Sequence, residues 1–570
     1  MKILKAALIT LSYLATSPTA HVAAKAMDTS CLADLEQLPY VSPKMFLKGE
    51  VIPVIANDTP LMEVTGCCSS TPIGSMPQMS TEQSIQVLES AKAGWNKGKG
   101  EWPRMTLSER IAAIEKFIEE LKKSRDEIIK VLMYEIGKNF KDAESEFDRT
   151  IIFIQETIKT IQTLPDFDSD FKTVASTKVM VRRNAFGIVL ALGPYNYPLN
   201  ETYATIIPAL LMGNVVILKI PQVGGLAHLL TFEAFSKTLP KNTIHFISGG
   251  GRKTLPPLME SGDIDGLAFI GGTNAADKLI KQHPSPHRLK LFLQLEAKNM
   301  AIVMKDMVDE NAIFNDSHYS QAKMFDEIIT GSLSYNGQRC TALKIVFVPK
   351  GYGEFVAKEL SARVDNLGKG MPWEEHGTKY SQITPLPNQA RVTYMKELLD
   401  DAVSKGAVVA NANGGEILSE KYEKPFDSTT LMVPAVLYNI TPDMKLFREE
   451  QFGPLVPVVE YESIDDVLSY GMNGIYGQQV AIFTNESTTD TVSVVDTFST
   501  IFGKINLNSS CARSPDSVPF TARRSSGLGI MSIEDALKEF SVPTVFAYKH
   551  DGSKELVDSI SENSSFMQPL

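Results

Sequence analysis

From Gly187 onward, short unbroken apolar runs alternate with amphipathic stretches: "GIVLALG", "NVVILK", "LAHLLTFEAFSKTL", "TIHFISGGG", "GLAFIGG", "NAADKLIKQH" and "LFLQLEAKNMAIV" follow one another. Strands that are apolar on both faces must be covered on both faces, so the pattern predicts an α/β fold built on a parallel, doubly wound sheet. Ligands of such sheets bind at the carboxyl ends of the strands, which singles out the loops "GPYNYP", "LKIPQ", "ISGGGR" and "IGGTN". A second α/β segment starts near Ala297 and runs through "LKIVFVPKG", the helical "GEFVAKELSARVDNL", "MVPAVLYNI" and "EEQFGPLVPVVEY".

Ahead of the first sheet lie amphipathic helices, with apolar residues at three- and four-residue steps in "TEQSIQVLESAKAGW", "SERIAAIEKFIEELKKSRDEIIKVLMYEIGK" and "DAESEFDRTIIFIQETIKTIQ", the second behind a cap at Ser108. The stretch "TKVMVRRNAFGIVLALG" reads as an extended strand, a turn at Asn184-Ala185 and a buried strand. At ~100–200 residues per domain, 570 residues predict two or three domains. The tail 551–570 is polar and reads as disordered.

A net charge of −11 gives the chain no global reason to bind nucleic acid, so an anionic ligand requires a local cluster of basic residues. The five cysteines are too few and too irregular for a disulfide framework, no Cys or His spacing suits a metal, and Cys67-Cys68 reads as a solvated loop. Residues 1–27 combine early lysines, an apolar run from Ala6 to Ala15 and small residues near Ala20, the pattern of a secretory signal or organellar presequence. That run is too short to span a bilayer, so the mature chain is expected outside the membrane. A reactive thiol suits reducing surroundings, which favours a plastid or other organelle over secretion, with the cytoplasm as the alternative.

The thiol in question is Cys340 in "SYNGQRCTALK", set directly after Arg339. Alone, such a pair is most often an ordinary buried cysteine beside a basic neighbour. Five stretches in order change that: "GPYNYP" at Gly193 to Pro198, "LKIP" at Leu218 to Pro221, "FIGGT" at Phe269 to Thr273, "GQRCTA" at Gly337 to Ala342 and "EEQFGP" at Glu449 to Pro454. Together they resemble the aldehyde dehydrogenase superfamily over about Thr81 to Tyr548, and "GQRCTALK" with "CARSPDSVPFTARRSSGLG" follows its NADP-dependent, non-phosphorylating glyceraldehyde-3-phosphate branch.

The resemblance implies an aldehyde dehydrogenase-like fold of two doubly wound domains. Residues 28–164 and 185–295 would bind the cofactor, 296–540 would carry the catalytic domain, and 165–184 with 541–550 would form a β-hairpin arm joining a homodimer or homotetramer. Cys340 would attack the aldehyde as a thiolate favoured by Arg339, with the oxyanion held by the Asn196 amide and the Cys340 N–H. Lys219, Pro221, Gln222, Gly271, Gly272, Glu450 and Phe452 would hold the dinucleotide. Gln222 lacks the carboxylate that would repel a 2′-phosphate, so NADP is expected over NAD. Arg149, Tyr197, Arg339 and Arg513 match the branch's phosphate-binding positions and imply a small phosphorylated aldehyde, D-glyceraldehyde 3-phosphate, oxidised to 3-phosphoglycerate.

One departure stands out. Where the family places a water-activating glutamate, ungapped alignment through Lys298 puts Gln294, which cannot accept a proton at neutral pH. Glu296 lies two residues on, on the same face of an extended segment, and is taken as the base. The alternatives are an enzyme for another small or phosphorylated aldehyde, and a catalytically impaired relative serving as scaffold or sensor.

Overall fold

The computed structural model describes residues 37–54, 59–164, 170–309, 319–418, 422, 426, 428–550 and 553–568. The signal-like segment 1–27 therefore lies outside the described residues. Of the unit Met1–Leu38 only Gln37 and Leu38 are described, and all else belongs to the unit Pro39–Leu570.

Two large sheets dominate. The first orders its strands Gly527–Leu528, Lys290–Gln294, Gly266–Ile270, Ile188–Leu192, Val215–Lys219 and Ile244–Ile247, all parallel except the edge strand Gly527–Leu528. The chain starts in the middle at Ile188–Leu192, winds outward to Ile244–Ile247, and returns on the other side at Gly266–Ile270. That reversal opens a crevice beyond Leu192 and Ile270, the place where doubly wound sheets take ligands.

The second sheet runs Val408–Val409, Ala435–Tyr438, Leu455–Tyr461, Leu343–Pro349, Asn299–Val303, Gln479–Phe483 and Lys504–Leu507, parallel but for Val408–Val409. Its inner strands are mostly apolar because both faces are covered. Successive residues point to opposite sides, so Met300 and Ile302 enter one buried cluster while Ala301 and Val303 enter another. The run "LFLQLEAKNMAIV" divides at Leu295–Lys298, its first half in one sheet and its second in the other.

The amphipathic helices form Thr81–Trp95, Leu107–Leu121, Arg125–Ile136 and Phe140–Ile161. The second is capped by Thr106, not Ser108: the Thr106 hydroxyl accepts the Glu109 N–H at 3.2 Å while Glu109 reaches back to the Thr106 N–H at 2.7 Å. A short 3₁₀ turn at Lys122–Ser124 separates it from the third.

Strands Lys172–Val174, Thr177–Asn184 and Val542–Tyr548 make a separate three-stranded antiparallel sheet, with Val545 opposite Val181. The tail corrects its reading as disordered: Lys554–Asn563 is a helix, and Val557 and Met567 pack on Met180 beside Phe171, Phe546 and Tyr548. Composition misled because the tail is polar overall, yet Leu556, Val557 and Ile560 recur at helical spacing. Cys67 and Cys68 are likewise buried rather than solvated, their sulfurs 2.9 Å apart against Met371 and Trp373. No described helix is long and apolar enough to cross a membrane.

Candidate active site

Every residue given a site role from the sequence lines one cavity of about 950 Å³. The first sheet brings the loops after Leu192, Lys219 and Ile270 to it, and the second brings the loop ahead of Leu343–Pro349 that carries Cys340.

The backbone leading to Cys340 is held in an uncommon shape. Tyr335, Asn336 and Gly337 have φ of 52°, 55° and 71° in succession, a left-handed run that non-glycine residues adopt only when surroundings enforce it. The Tyr335 hydroxyl donates to Ile136 O at 2.9 Å, and Asn336 exchanges hydrogen bonds with the Thr384 backbone, both at 3.0 Å. A Cβ on Gly337 would lie 2.6 Å from Gly453 O. Beyond the turn, the Cys340 carbonyl accepts from Asn299 Nδ2 at 2.8 Å and Lys344 Nζ at 2.6 Å, which fixes the peptide plane behind the thiol.

Asn196 is buried, and its Nδ2 donates to Gln338 O at 2.8 Å, tying the amide to the loop that bears Cys340. The Tyr195 hydroxyl locks the Gln338 side chain at 2.9 Å.

The electrostatics correct the sequence reading. Arg339 donates to Thr341 Oγ1 at 3.2 Å, and its charge does lower the thiol pKa, but weakly. Burial and the negative charge of Glu201 outweigh it and Lys344, pushing the Cys340 thiol up to about 11. At neutral pH the thiol is protonated.

Glu296 reaches the cavity but faces the cofactor end. Its Oε2 accepts the Thr273 N–H at 3.0 Å, capping the helix Thr273–Gln282. Gln294 closes its strand, 3% exposed, with neither Oε1 nor Nε2 hydrogen-bonded. Leaving both ends of a buried amide unpaired is costly, and this side chain lines the cavity.

At the other end the arginines come with counter-charges. Arg513 Nη1 lies 2.8 Å from Glu201 Oε1 and donates to Asn200 Oδ1 at 3.2 Å, while Arg149 Nη2 lies 3.2 Å from Asp516 Oδ2. Burial works against the Arg513 charge, but Glu201 and Asp516 hold its pKa above the ordinary value. The acidic neighbours of Arg149 on its own helix are occupied elsewhere, Asp148 by Arg125 and Glu146 by Lys138. That fully buried Lys138–Glu146 pair, 2.5 Å apart, sets an ammonium 3.4 Å from the Tyr197 ring centroid and so positions the ring.

The residues at the cofactor end fit a dinucleotide. A Cβ on Gly272 would meet only Glu296 Oε1, at 3.9 Å, so bare backbone faces the cavity at the start of a ten-residue helix. Lys219 is buried at its strand end, where burial lowers its pKa to about 8, and its Nζ donates to Ile220 O. Gln222 is exposed at the rim beside Pro221. Glu450 Oε1 accepts the Ala297 N–H at 3.0 Å and lies 3.2 Å from Lys344 Nζ, and Phe452, at φ 46°, packs edge-on against Tyr195. A pyrophosphate held at this helix end would compete with the Glu296 carboxylate for the Thr273 N–H. Among the described residues no three His, Cys, Asp or Glu side chains converge on a metal-sized site.

Sequence reasoning missed Glu201, Asp516 and Lys344. Glu201 had a signal: an acid in the first turn of the helix Asn200–Leu211, five residues after Asn196. Asp516 and Lys344 are ordinary charged residues until the fold closes.

A thiol carried to the junction of two doubly wound sheets, in one cavity with a glycine-led helix start suited to a dinucleotide, marks an NAD(P)-linked oxidoreductase of carbonyl compounds. Comparison with known proteins narrows the class: residues 55–545 match the model of the aldehyde dehydrogenase family, and the chain belongs to that family. It is 30% identical over 482 residues to an NADP-dependent glyceraldehyde-3-phosphate dehydrogenase of Streptococcus equinus, covering 83% of this chain and 93% of that one. The solved NADP-dependent glyceraldehyde-3-phosphate dehydrogenase from Bacillus halodurans C-125, complexed with NADP, superposes with a TM-score of 0.75 at 26% identity, over 89% of this chain and 99% of that one. Lactaldehyde dehydrogenase from Escherichia coli shares the fold, with a TM-score of 0.77 at 20% identity over 90% of this chain and 100% of that one.

Proposed function

We propose that the protein oxidises glyceraldehyde 3-phosphate to 3-phosphoglycerate with NADP, without inorganic phosphate, using Cys340 as nucleophile. The observation that carries this is the presence of Arg149, Arg339 and Arg513 on the wall of the cavity that holds Cys340. Three guanidinium groups against Glu201 and Asp516 leave an excess positive charge for a phosphate. The names of the relatives point the same way.

Cys340 Sγ adds to the aldehyde carbon once its proton is lost. The Asn196 amide spends one N–H on Gln338 O, leaving its second for the oxyanion, where removing such a donor typically costs about 100- to 1,000-fold in rate. NADP, held by Lys219, Gln222, Gly271, Gly272, Glu450 and Phe452, would supply the hydride acceptor. Water then releases the acid from the thioester on Cys340. The uncharged Gln222 at the rim favours NADP over NAD. The sheet of Thr177–Asn184 and Val542–Tyr548 leaves Val181 and Val545 exposed, which suits pairing of subunits.

A second reading rests on the Arg513–Glu201 pair: with Arg513 already neutralised, the substrate would be a small aldehyde bearing less charge than a phosphate. NADPH formation, measured without inorganic phosphate, decides between them. The proposal expects a far higher kcat/KM for glyceraldehyde 3-phosphate than for glyceraldehyde, and equal values overturn it.

A further inference from the structure

Among the described residues three carboxylates line the cavity, and of these only Glu201 lies at the end of the arginines, where Asp516, outside the lining, pairs with Arg149 and Arg513. Glu296 caps the helix Thr273–Gln282 through the Thr273 N–H, and Glu450 is held by the Ala297 N–H and Lys344. Glu201 stands instead among Asn200, Arg513 and Arg149, on the helix that follows the loop of Asn196. No other charged group acts as strongly on the Cys340 thiol. The strand-end Gln294 offers water a donor and an acceptor but no place for a proton.

We infer that Glu201 is the general base for hydrolysis of the acyl-enzyme, the task passing from the strand end at Gln294 to the first turn of the helix Asn200–Leu211. In this step a water molecule gives one proton to the Glu201 carboxylate as its oxygen bonds to the thioester carbon. The C–S bond breaks with its electron pair going to Cys340 Sγ, which departs as thiolate. The product carboxylic acid then loses its proton to solvent, and the proton on Glu201 passes to the Cys340 thiolate, restoring the resting thiol. The ion pair with Arg513 fixes the carboxylate over the substrate end, and the unpaired Gln294 amide orients the water. This replaces Glu296 as base and leaves it at the cofactor end. It rests on Cys340 being the nucleophile and not on which aldehyde is taken.

The test is pre-steady-state kinetics of NADPH formation on the full-length chain, with any aldehyde the wild type turns over. Glu201→Gln keeps the side-chain shape and is expected to retain a first-turnover burst, then stall at a steady rate about 100-fold or more below wild type. Acyl adduct accumulates on Cys340 by mass spectrometry, and hydroxylamine, a nucleophile needing no base, speeds the variant more than the wild type. Adding Gln294→Glu to Glu201→Gln restores turnover, an outcome that misfolding would not give. Glu296→Gln changes the KM for NADP and leaves the adduct transient. A Glu201→Gln enzyme with wild-type steady turnover, or one that loses burst and turnover together and is not rescued, overturns the assignment of Glu201 alone. A Cys340→Ala enzyme that still gives the burst overturns the role of Cys340, and the inference with it.

Discussion

Arg513 Nη1 and Glu201 Oε1 form an ion pair of 2.8 Å, with side chains 8% and 14% exposed, in the wall of the cavity that holds Cys340. A phosphate entering this end meets a guanidinium that is already oriented. Arg513→Ala is expected to lower kcat/KM for glyceraldehyde 3-phosphate about 10- to 100-fold, the worth of a charge-assisted hydrogen bond of about 1.5–3 kcal/mol. Glyceraldehyde serves as control: equal losses on both aldehydes would contradict a phosphate site.

The Cys340 thiol, held up to about 11 by burial and Glu201, reacts only through its thiolate. Alkylation of the free enzyme by iodoacetamide is expected to rise about tenfold per pH unit through the neutral range. Glu201→Gln removes the negative charge and moves the curve to lower pH. A rate already level at neutral pH would show that Arg339 and Lys344 win instead.

Gln222 sits uncharged at the rim of the cofactor end. Gln222→Glu is expected to reduce the ratio of NADP to NAD efficiency by about tenfold or more, because like charges brought together at a binding site cost several kcal/mol. An unchanged ratio places the 2′-phosphate elsewhere.

His228 and His245 are buried, and burial lowers their pKa values to about 3 and about 4. Their folded values lie below the unfolded one near 6.5, so the unfolded chain binds more protons as pH falls. Their contribution is complete above about pH 6.5 and declines at about 1.4 kcal/mol per pH unit for each histidine down to its folded value. Thermal midpoints measured from pH 7.5 to 5 should fall with a shallower slope in His228→Gln, and identical slopes would refute the assignment.

Much of the fold is legible in the chain because strands covered on both faces need unbroken apolar runs, as in "NVVILK" and "LKIVFVP". Loops at their ends fall where the sheet reversal requires, so the loops of Asn196, Gly271 and Gly272 stand out before any geometry is known, whereas Cys340, ahead of the strand Leu343–Pro349, is placed only by the family resemblance. What could not be read are relations between charges distant in sequence. Arg339 adjoins Cys340 in the chain, yet burial and Glu201, far upstream, set the thiol's protonation. Glu296 shares a face with Gln294 in an extended segment, but the chain leaves its strand at Gln294 and the carboxylate turns to the Thr273 N–H. The tail hid a helix behind polar composition, its apolar side being only one narrow stripe.

The central claim is a covalent bond at one sulfur. Rapid acid quench during turnover with glyceraldehyde 3-phosphate and NADP, followed by mass spectrometry of the Cys340 peptide, is the direct measurement. The account predicts the mass of a phosphoglyceroyl thioester on Cys340, absent without NADP. NADPH formed at the wild-type rate by Cys340→Ala, with no adduct on the wild-type peptide, would contradict it.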